Sequence, residues 1–378
     1  MKILIDSRGA NWYRGTGIGT YTYNVLKHII KSTINDEIHL FWSGQKDSEF
    51  IKKNIKTILS SKKHQKFFEN FYIPNYIENN NIDLYHIPQN GIGLNSKGNF
   101  LKIVTIHDLI PYILPETCGK GYLKNFLNDM PNIIENTDGI LTVSHYSKKD
   151  ILKFFPSFPS ERIFVTHLAA DSSFKPLNKS DCLNNVQNKF NFSKPFILYL
   201  GGFSLRKNVK GLIDSFNNIF KNLNSQYNLL IVGNLKDEGL KLKDYASKLP
   251  IKDNIIFTGF IEDSYLPILY NACDLFVYPS LYEGFGLPPL EAMSCKTAVL
   301  ASNLTSIPEV VSNSDLLFNP YDSNEFSSKL LNILNNSNLR NTLRLEGYER
   351  SKTFNWKTTS KQTLSAYEEL IKLGKKNT

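Results

Sequence analysis

The feature that most limits what this chain can fold into is a rhythm of short apolar runs separated by helix-length intervals, and the rhythm occurs twice. In the first half the runs are Ile3 to Asp6, Ile38 to Phe41, Leu84 to Ile87, Ile103 to Ile106, Gly139 to Val143 and Ile163 to Thr166. In the second half they are Phe196 to Leu200, Leu229 to Val232, Ile255 to Thr258, Leu275 to Tyr278 and Ala298 to Ala301. Apolar strands spaced by helices predict parallel sheets covered on both faces, hence an α/β protein. The pattern Leu212, Ile213, Phe216, Ile219, Phe220, Leu223 has the three- and four-residue steps of an amphipathic helix.

A chain of 378 residues is long for one core, so two domains are expected. Between them, Asp171 to Pro195 is rich in Asn, Ser and Lys, and reads as a linker bracketed by Pro176 and Pro195. The expected boundaries are 1–175 and 190–358. A last helical pattern, Leu364, Tyr367, Leu370, Ile371, lies within 360–378 and is expected to pack back onto the first domain.

Composition narrows the partners. The net charge of +9, from 44 Lys and Arg against 35 Asp and Glu, favours anionic ones: nucleotide phosphates, a membrane face or nucleic acid. No reader motif for nucleic acid is present, so that class is set aside. The cysteines Cys118, Cys182, Cys273 and Cys295 have neither metal-ligand spacing nor a disulfide framework, which fits a reducing cytoplasm. The opening Met1-Lys-Ile-Leu-Ile-Asp6 is too weakly apolar for a secretory signal. No run approaches the roughly 20 apolar residues of a membrane span.

The strongest chemical signal is Glu283-Gly-Phe-Gly-Leu-Pro-Pro-Leu-Glu291, directly after the run Leu275 to Tyr278. Pro288 and Pro289 suit the start of a helix, which places Glu283 in the preceding loop and Glu291 in the first turn. Both carboxylates then sit at the carboxyl end of a strand, where open α/β sheets bind ligands. Gly284 and Gly286 leave amides uncovered for hydroxyl or phosphate oxygens; the competing reading is an ordinary capping loop. Arg206 and Lys207 follow another strand and precede a helix, an arrangement suited to a diphosphate or, more plainly, a solvated basic turn.

Other segments are weaker. Gly15-Thr-Gly-Ile-Gly19 opens a helix with inner face Tyr21, Val25, Ile29, but starts too late after its strand for a dinucleotide turn. His107-Asp108 ends the run Ile103 to Ile106, and Ser144 is placed as a helix cap. Lys52 to Tyr76 is basic and aromatic, with Lys52, Lys53, Lys56, Lys62, Lys63 and Lys66 followed by Phe67, Phe68, Phe71 and Tyr72. It suits either an anionic membrane surface or a solvated helix with buried aromatics.

The frame E-G-F-G-L-P-P-L-E-A-M resembles the hallmark of retaining family 4 glycosyltransferases of the GT-B fold. The likeness extends through Gly15 to Tyr21, Ile106-His-Asp-Leu-Ile-Pro111, Asp138 to Ser144 and Arg206-Lys-Asn208. It implies two Rossmann-like domains facing each other across a cleft. By the same resemblance, Glu283 lies against the donor sugar, Glu291 holds the ribose hydroxyls, and Lys207 offsets leaving-group charge; several relatives carry an arginine earlier in this loop, where this chain has Gly201-Gly202-Phe203, and Arg206 is the candidate for its part. His107 is implied near the donor sugar. Gly17, Gly19, Gly202, Asn208, Phe285, Gly286 and Leu287 fall on the donor side, with Asp108 and Ser144 towards the acceptor.

The implied activity is retaining, metal-independent transfer of a hexose from a nucleotide sugar, GDP-mannose first, to a saccharide or lipid-linked saccharide in polysaccharide assembly. It needs no cofactor and no metal site. The expected location is cytoplasmic, peripheral at the inner membrane face. The rival class is a nucleotide-sugar-binding partner or regulator that keeps the fold without turnover. An epimerase or phosphorylase on the same architecture is a further rival.

Overall fold

The computed structural model describes residues 1–32, 36–45, 47–52, 54–94, 98 and 100–376. The chain divides into two compact units, Met1–Leu168 with Asn355–Thr378, and Ala169–Phe354. Each contains one sheet in which every recorded strand pair is parallel.

The first sheet is built from β1 (Lys2–Asp6), β2 (Glu37–Ser43), β3 (Ile55–Ser60), β4 (Leu84–Ile87), β5 (Leu101–Ile106), β6 (Gly139–Thr142) and β7 (Ile163–Val165), in the order β3-β2-β1-β4-β5-β6-β7. The second uses β8 (Phe196–Leu200), β9 (Asn228–Val232), β10 (Ile255–Gly259), β11 (Leu275–Tyr278), β12 (Val299–Ser302) and β13 (Leu317–Phe318), in the order β10-β9-β8-β11-β12-β13. Both are doubly wound: the order reverses between β1 and β4 in one, and between β8 and β11 in the other. At such a reversal the flanking helices leave on opposite faces and open a crevice at the carboxyl ends of the strands. Such crevices are favoured places for a ligand in this architecture.

All eleven expected apolar runs are strands, and β3 and β13 were not anticipated. β3 lies in the basic stretch and carries Lys56, which pairs with Glu37 on the neighbouring strand at 2.5 Å. It is an edge strand, where a lysine is tolerated because one side of its ladder faces solvent. The helix at Val209–Ile219 is shorter than the predicted pattern, which ends in a tighter turn at Phe220–Asn222. Its buried Val209, Leu212, Ile213, Phe216 and Ile219 form one stripe, packed against the helix Ser323–Asn335.

The Asp171 to Pro195 segment is not a linker. It belongs to the second unit and holds a helix, Lys179–Phe190, capped by the Asn178 side chain, which accepts from the amides of Ser180 and Asp181. Its inward residues Cys182 and Val186 are buried, and it packs on the helix Leu266–Ala272. The crossing of the chain between units falls at Leu168 and Ala169, earlier than the composition suggested.

The C-terminal helix Trp356–Leu373 is counted with the first unit. Its Tyr367 hydroxyl lies 2.6 Å from His86 Nδ1 in β4, and Leu370 is buried against Gly139 of β6. Arg162 donates to the carbonyls of Leu373, Gly374 and Lys375, which satisfies the end of the helix. Residues 377–378 of the expected tail lie outside the described residues.

Candidate functional site

In the second unit the chain leaves β8 through Gly201 and Gly202 into a short turn, Leu205–Lys207, and enters the helix Val209–Ile219. Asn208 makes that entry with a left-handed backbone, φ 50°. Its side chain is not the cap; Nδ2 reaches the Pro320 carbonyl at 3.5 Å. The Arg206 carbonyl accepts from the Leu281 amide at 2.7 Å, which ties this turn to the loop after β11. Lys207 and Glu283 are thereby placed on facing loops at the reversal of strand order.

Glu283 Oε1 receives Lys207 Nζ at 2.6 Å and Arg206 NH1 at 2.9 Å. Arg206 also donates to the Tyr282 carbonyl at 2.9 Å, and Lys207 to the Tyr278 hydroxyl at 3.0 Å. The backbone beneath is fixed: Ser306 Oγ bridges the carbonyls of Glu283 and Phe285, each at 2.8 Å, and the Glu283 amide donates to Thr305 Oγ1. Burial opposes ionisation of Glu283, but Lys207 and Arg206 outweigh it and hold the carboxyl down to about 2. The side chains of Glu283, Lys207 and Arg206 retain 12%, 12% and 19% of their exposure, so solvent-borne anions can reach the cations.

Gly286 then caps the helix Leu287–Ser294 at φ 119°, a conformation reached at little cost only by a residue without a Cβ. Pro288 and Pro289 lie at its start, as predicted, and Leu287 is its first residue. Glu291 is one turn further in than expected, in the second turn rather than the first. Its Oε2 accepts from the Tyr270 hydroxyl at 3.0 Å, and burial, with Asp263 and Asp171 nearby, pushes its carboxyl up to about 8. The two glutamates thus have opposite electrostatic settings, one clamped ionised by cations, one kept protonated by its apolar surroundings.

Phe285 places its ring in the core, edge-on to Phe354 at 5.9 Å, so only its backbone remains for a ligand. At Gly202 a Cβ would meet open space, and its carbonyl accepts from the Tyr199 hydroxyl at 2.6 Å. Tyr278, Tyr270, Thr305 and Ser306 hold the site and were not singled out from sequence. Tyr278 had a signal, as the last residue of an apolar strand leading into the glutamate loop; the others are brought in by tertiary packing.

The remaining candidates are in the first unit. His107, after β5, is buried, with its ring edge-on to Tyr21 at 4.9 Å and Nε2 2.8 Å from the Pro88 carbonyl. A carbonyl can only accept, so Nε2 carries the proton and Nδ1 keeps its lone pair. Burial pulls the imidazole down to about 4, leaving it neutral at neutral pH. Asp108 accepts from the Ile110 amide at 3.1 Å and so starts a short helix. Ser144 is fully buried and caps the helix His145–Phe154, accepting from the Ser147 amide at 3.0 Å; Ser147 in turn donates to the His107 carbonyl.

Gly17 begins the helix Gly17–Ser32, and the predicted inner face Tyr21, Val25, Ile29 is buried. A Cβ on Gly19 would lie 2.1 Å from the Tyr13 carbonyl oxygen, so a close backbone approach demands glycine there. The Lys52 to Tyr76 stretch is part strand and part helix: it runs through β3 and a short turn into a continuous helical segment from Gln65 to Asn79 that widens at Phe68–Tyr72, with Phe68 packed on Phe41 while Phe67 and Phe71 are more than half exposed. Lys53 lies outside the described residues.

Residues 184–350 match the family described as glycosyl transferases, group 1. Over 266 residues the chain is 33% identical to O-antigen chain mannosyltransferase B of Escherichia coli, covering 70% of each protein. It is 31% identical over 277 residues to the serotype-specific mannosyltransferase WbdA of Escherichia coli, covering 72% of this chain but only 34% of that longer protein. Sucrose-phosphate synthase from Thermosynechococcus elongatus has a similar fold, with TM-score 0.74 at 22% identity over 98% of this chain and 99% of that one. That likeness extends the two-domain, parallel-sheet GT-B architecture along the chain.

Proposed function

This chain belongs to the glycosyl transferases of group 1, and we propose that it is a retaining, metal-independent mannosyltransferase that uses GDP-mannose to extend a saccharide or lipid-linked saccharide during cell-surface polysaccharide synthesis. The observation that carries the reading is the cluster Arg206, Lys207 and Glu283 at the β8–β11 reversal. Two cations on a loop that enters a helix are the fitting counter-charge for a nucleoside diphosphate. The carboxylate they hold is displaced towards the sugar when phosphate oxygens take its place. Mannose as the transferred sugar follows the names of the O-antigen relatives.

The difficult step is cleavage of the bond between the anomeric carbon and the diphosphate oxygen, with positive charge growing on the ring and negative charge on the leaving group. Lys207 and Arg206 stabilise the leaving oxygen; removing one such preorganised donor typically costs about 10²–10³ in kcat. Glu283, ionised far below neutral pH, stabilises the ring. Glu291 accepts from the ribose hydroxyls. Neutral His107 offers Nδ1 as an acceptor to a sugar hydroxyl.

Among the described residues no helix is long and apolar enough to cross a membrane. Exposed Phe67 and Phe71 beside Lys62, Lys63 and Lys66 support contact with an anionic membrane surface, on the cytoplasmic side where nucleotide sugars are made. The test is transfer from GDP-mannose with EDTA present, followed by the anomeric configuration of the product. Retention with undiminished turnover is expected; inversion, or transfer that returns only with added divalent ion, contradicts the proposal. A folded protein that binds the donor and never turns over marks the non-enzymatic partner instead.

A further inference from the structure

A cavity of about 550 Å³ opens in the first unit at the carboxyl ends of β1 and β2, lined among others by Asn11, Trp12, Arg14, Trp42, Asp47 and Lys62. Its volume is that of a small-molecule site. None of the residues assigned to donor binding or to catalysis lies in it, and Lys62 at its rim is shared with the basic stretch proposed to meet the membrane.

The walls are braced from behind. The guanidinium of Arg8 is fully buried between the rings of Trp12 and Phe41, 4.5 and 4.2 Å from their centres. It is held by Asp6 at 2.6 Å and by Glu69 at 2.8 Å, so one face of the Trp12 indole rests on an immobile support. Asn11 Nδ2 donates to the Ser43 carbonyl at 2.6 Å, joining the loop after β1 to the end of β2. Trp42 Nε1 donates to the Gln45 carbonyl at 2.9 Å across a turn in which Gly44 has φ +90°. These contacts fix a partly exposed indole at the mouth of a polar cavity.

The rim carries charge that the fold does not use. Arg14 and Lys62 are exposed, and among the described residues neither is paired with a carboxylate. Asp47 has one oxygen on the Glu49 amide, and Asn11 keeps Oδ1 as an acceptor, so hydroxyl groups also find partners. An aromatic plane suits the apolar C–H face of a pyranose ring, and two cations suit a phosphate.

The geometry points to this cavity as the seat of a phosphate-bearing saccharide, with its ring on Trp12 and its phosphate on Arg14 and Lys62: the phosphate-linked end of the acceptor. The role as acceptor site rests on the proposed transferase activity; the binding itself does not.

The test is isothermal titration of the full chain with N-acetylglucosamine 1-phosphate, alongside inorganic phosphate and a neutral methyl glycoside. Saturable binding of the sugar phosphate is expected, about tenfold weaker in Trp12→Leu and in Arg14→Gln, a loss of about 1.4 kcal/mol, and unchanged in Lys207→Ala. Arg14 is exposed, so its variant folds whatever becomes of Trp12. No binding, binding by both variants as tight as that of the wild type, or inorganic phosphate binding as tightly as the sugar phosphate overturns the assignment. Thermal shift with nucleotide sugars, run in parallel, separates the two claims. A donor response without sugar-phosphate binding removes only this cavity, and sugar-phosphate binding without any donor response removes only the transferase reading.

Discussion

Each sheet places an ion-paired cluster at its reversal of strand order, and only one of the two clusters is open. In the first unit, Asp6 ends β1 and Arg8 follows it, Gln89 follows β4 and donates to Asp6 at 2.7 Å, and Glu69 completes the group; Asp6 and Arg8 have no exposure at all. In the second, Arg206 and Lys207 follow β8, Glu283 follows β11, and each side chain keeps some access to solvent. The place at the reversal is shared, but the charge balance and the exposure are not: one cation meets two carboxylates in the first cluster, and two cations meet one carboxylate in the second. The sealed cluster spends its charges on holding the loop after β1, whereas the open one keeps cations that an incoming anion can claim.

The sharpest way to break this comparison is to remove one cation from each cluster. Arg8→Met strands Asp6 as a buried unpaired charge, and urea unfolding should show a loss of about 3–5 kcal/mol. A loss below about 1 kcal/mol, the value typical of an exposed pair, means the first cluster is not structural. Lys207→Ala leaves Arg206 on Glu283, so unfolding changes by about 1 kcal/mol or less, while kcat should fall by about 10²–10³. The reverse pattern, stability lost and kcat kept, makes the second cluster a brace like the first.

A smaller effect distinguishes the two glutamates. Glu291, with its carboxyl at about 8 against an ordinary 4.5, keeps a proton that the unfolded chain has released. The native state therefore binds more protons between those values, and stability falls as pH rises through that window before levelling off, by about 1 kcal/mol between pH 7 and 8. Glu291→Gln should flatten this slope in unfolding measured against pH; an unchanged slope shows that Glu291 is ionised. Tyr270→Phe removes a hydrogen bond to that carboxyl and should weaken donor binding about fivefold, equivalent to about 1 kcal/mol.

How much of this was legible in the sequence depends on the reach of each interaction. The loop from Glu283 to Glu291 was readable because glycines, prolines and acids fix its course locally, although the helix begins early enough, at Leu287, to carry Glu291 into its second turn. β3 was obscured by Lys56, whose charge is compatible with a strand only because the strand lies at an edge. The helix Lys179–Phe190 was hidden because only Cys182 and Val186 of it are buried, so the apolar period was almost absent and packing on a neighbouring helix decides it. The brace around Arg8 could not be foreseen, since Glu69 and Gln89 meet it only through the folded sheet.

The proposed chemistry requires the second cluster to be a donor diphosphate site. Thermal shift of the wild-type chain and of Lys207→Ala against a panel of nucleotide sugars tests this directly, since a ligand that binds only the native state raises its stability with occupancy. The prediction is a saturable rise for the wild type, largest with GDP-mannose, and little or none for a Lys207→Ala protein that remains folded. No response of the wild type to any nucleotide sugar, or an equal response from the variant, contradicts it.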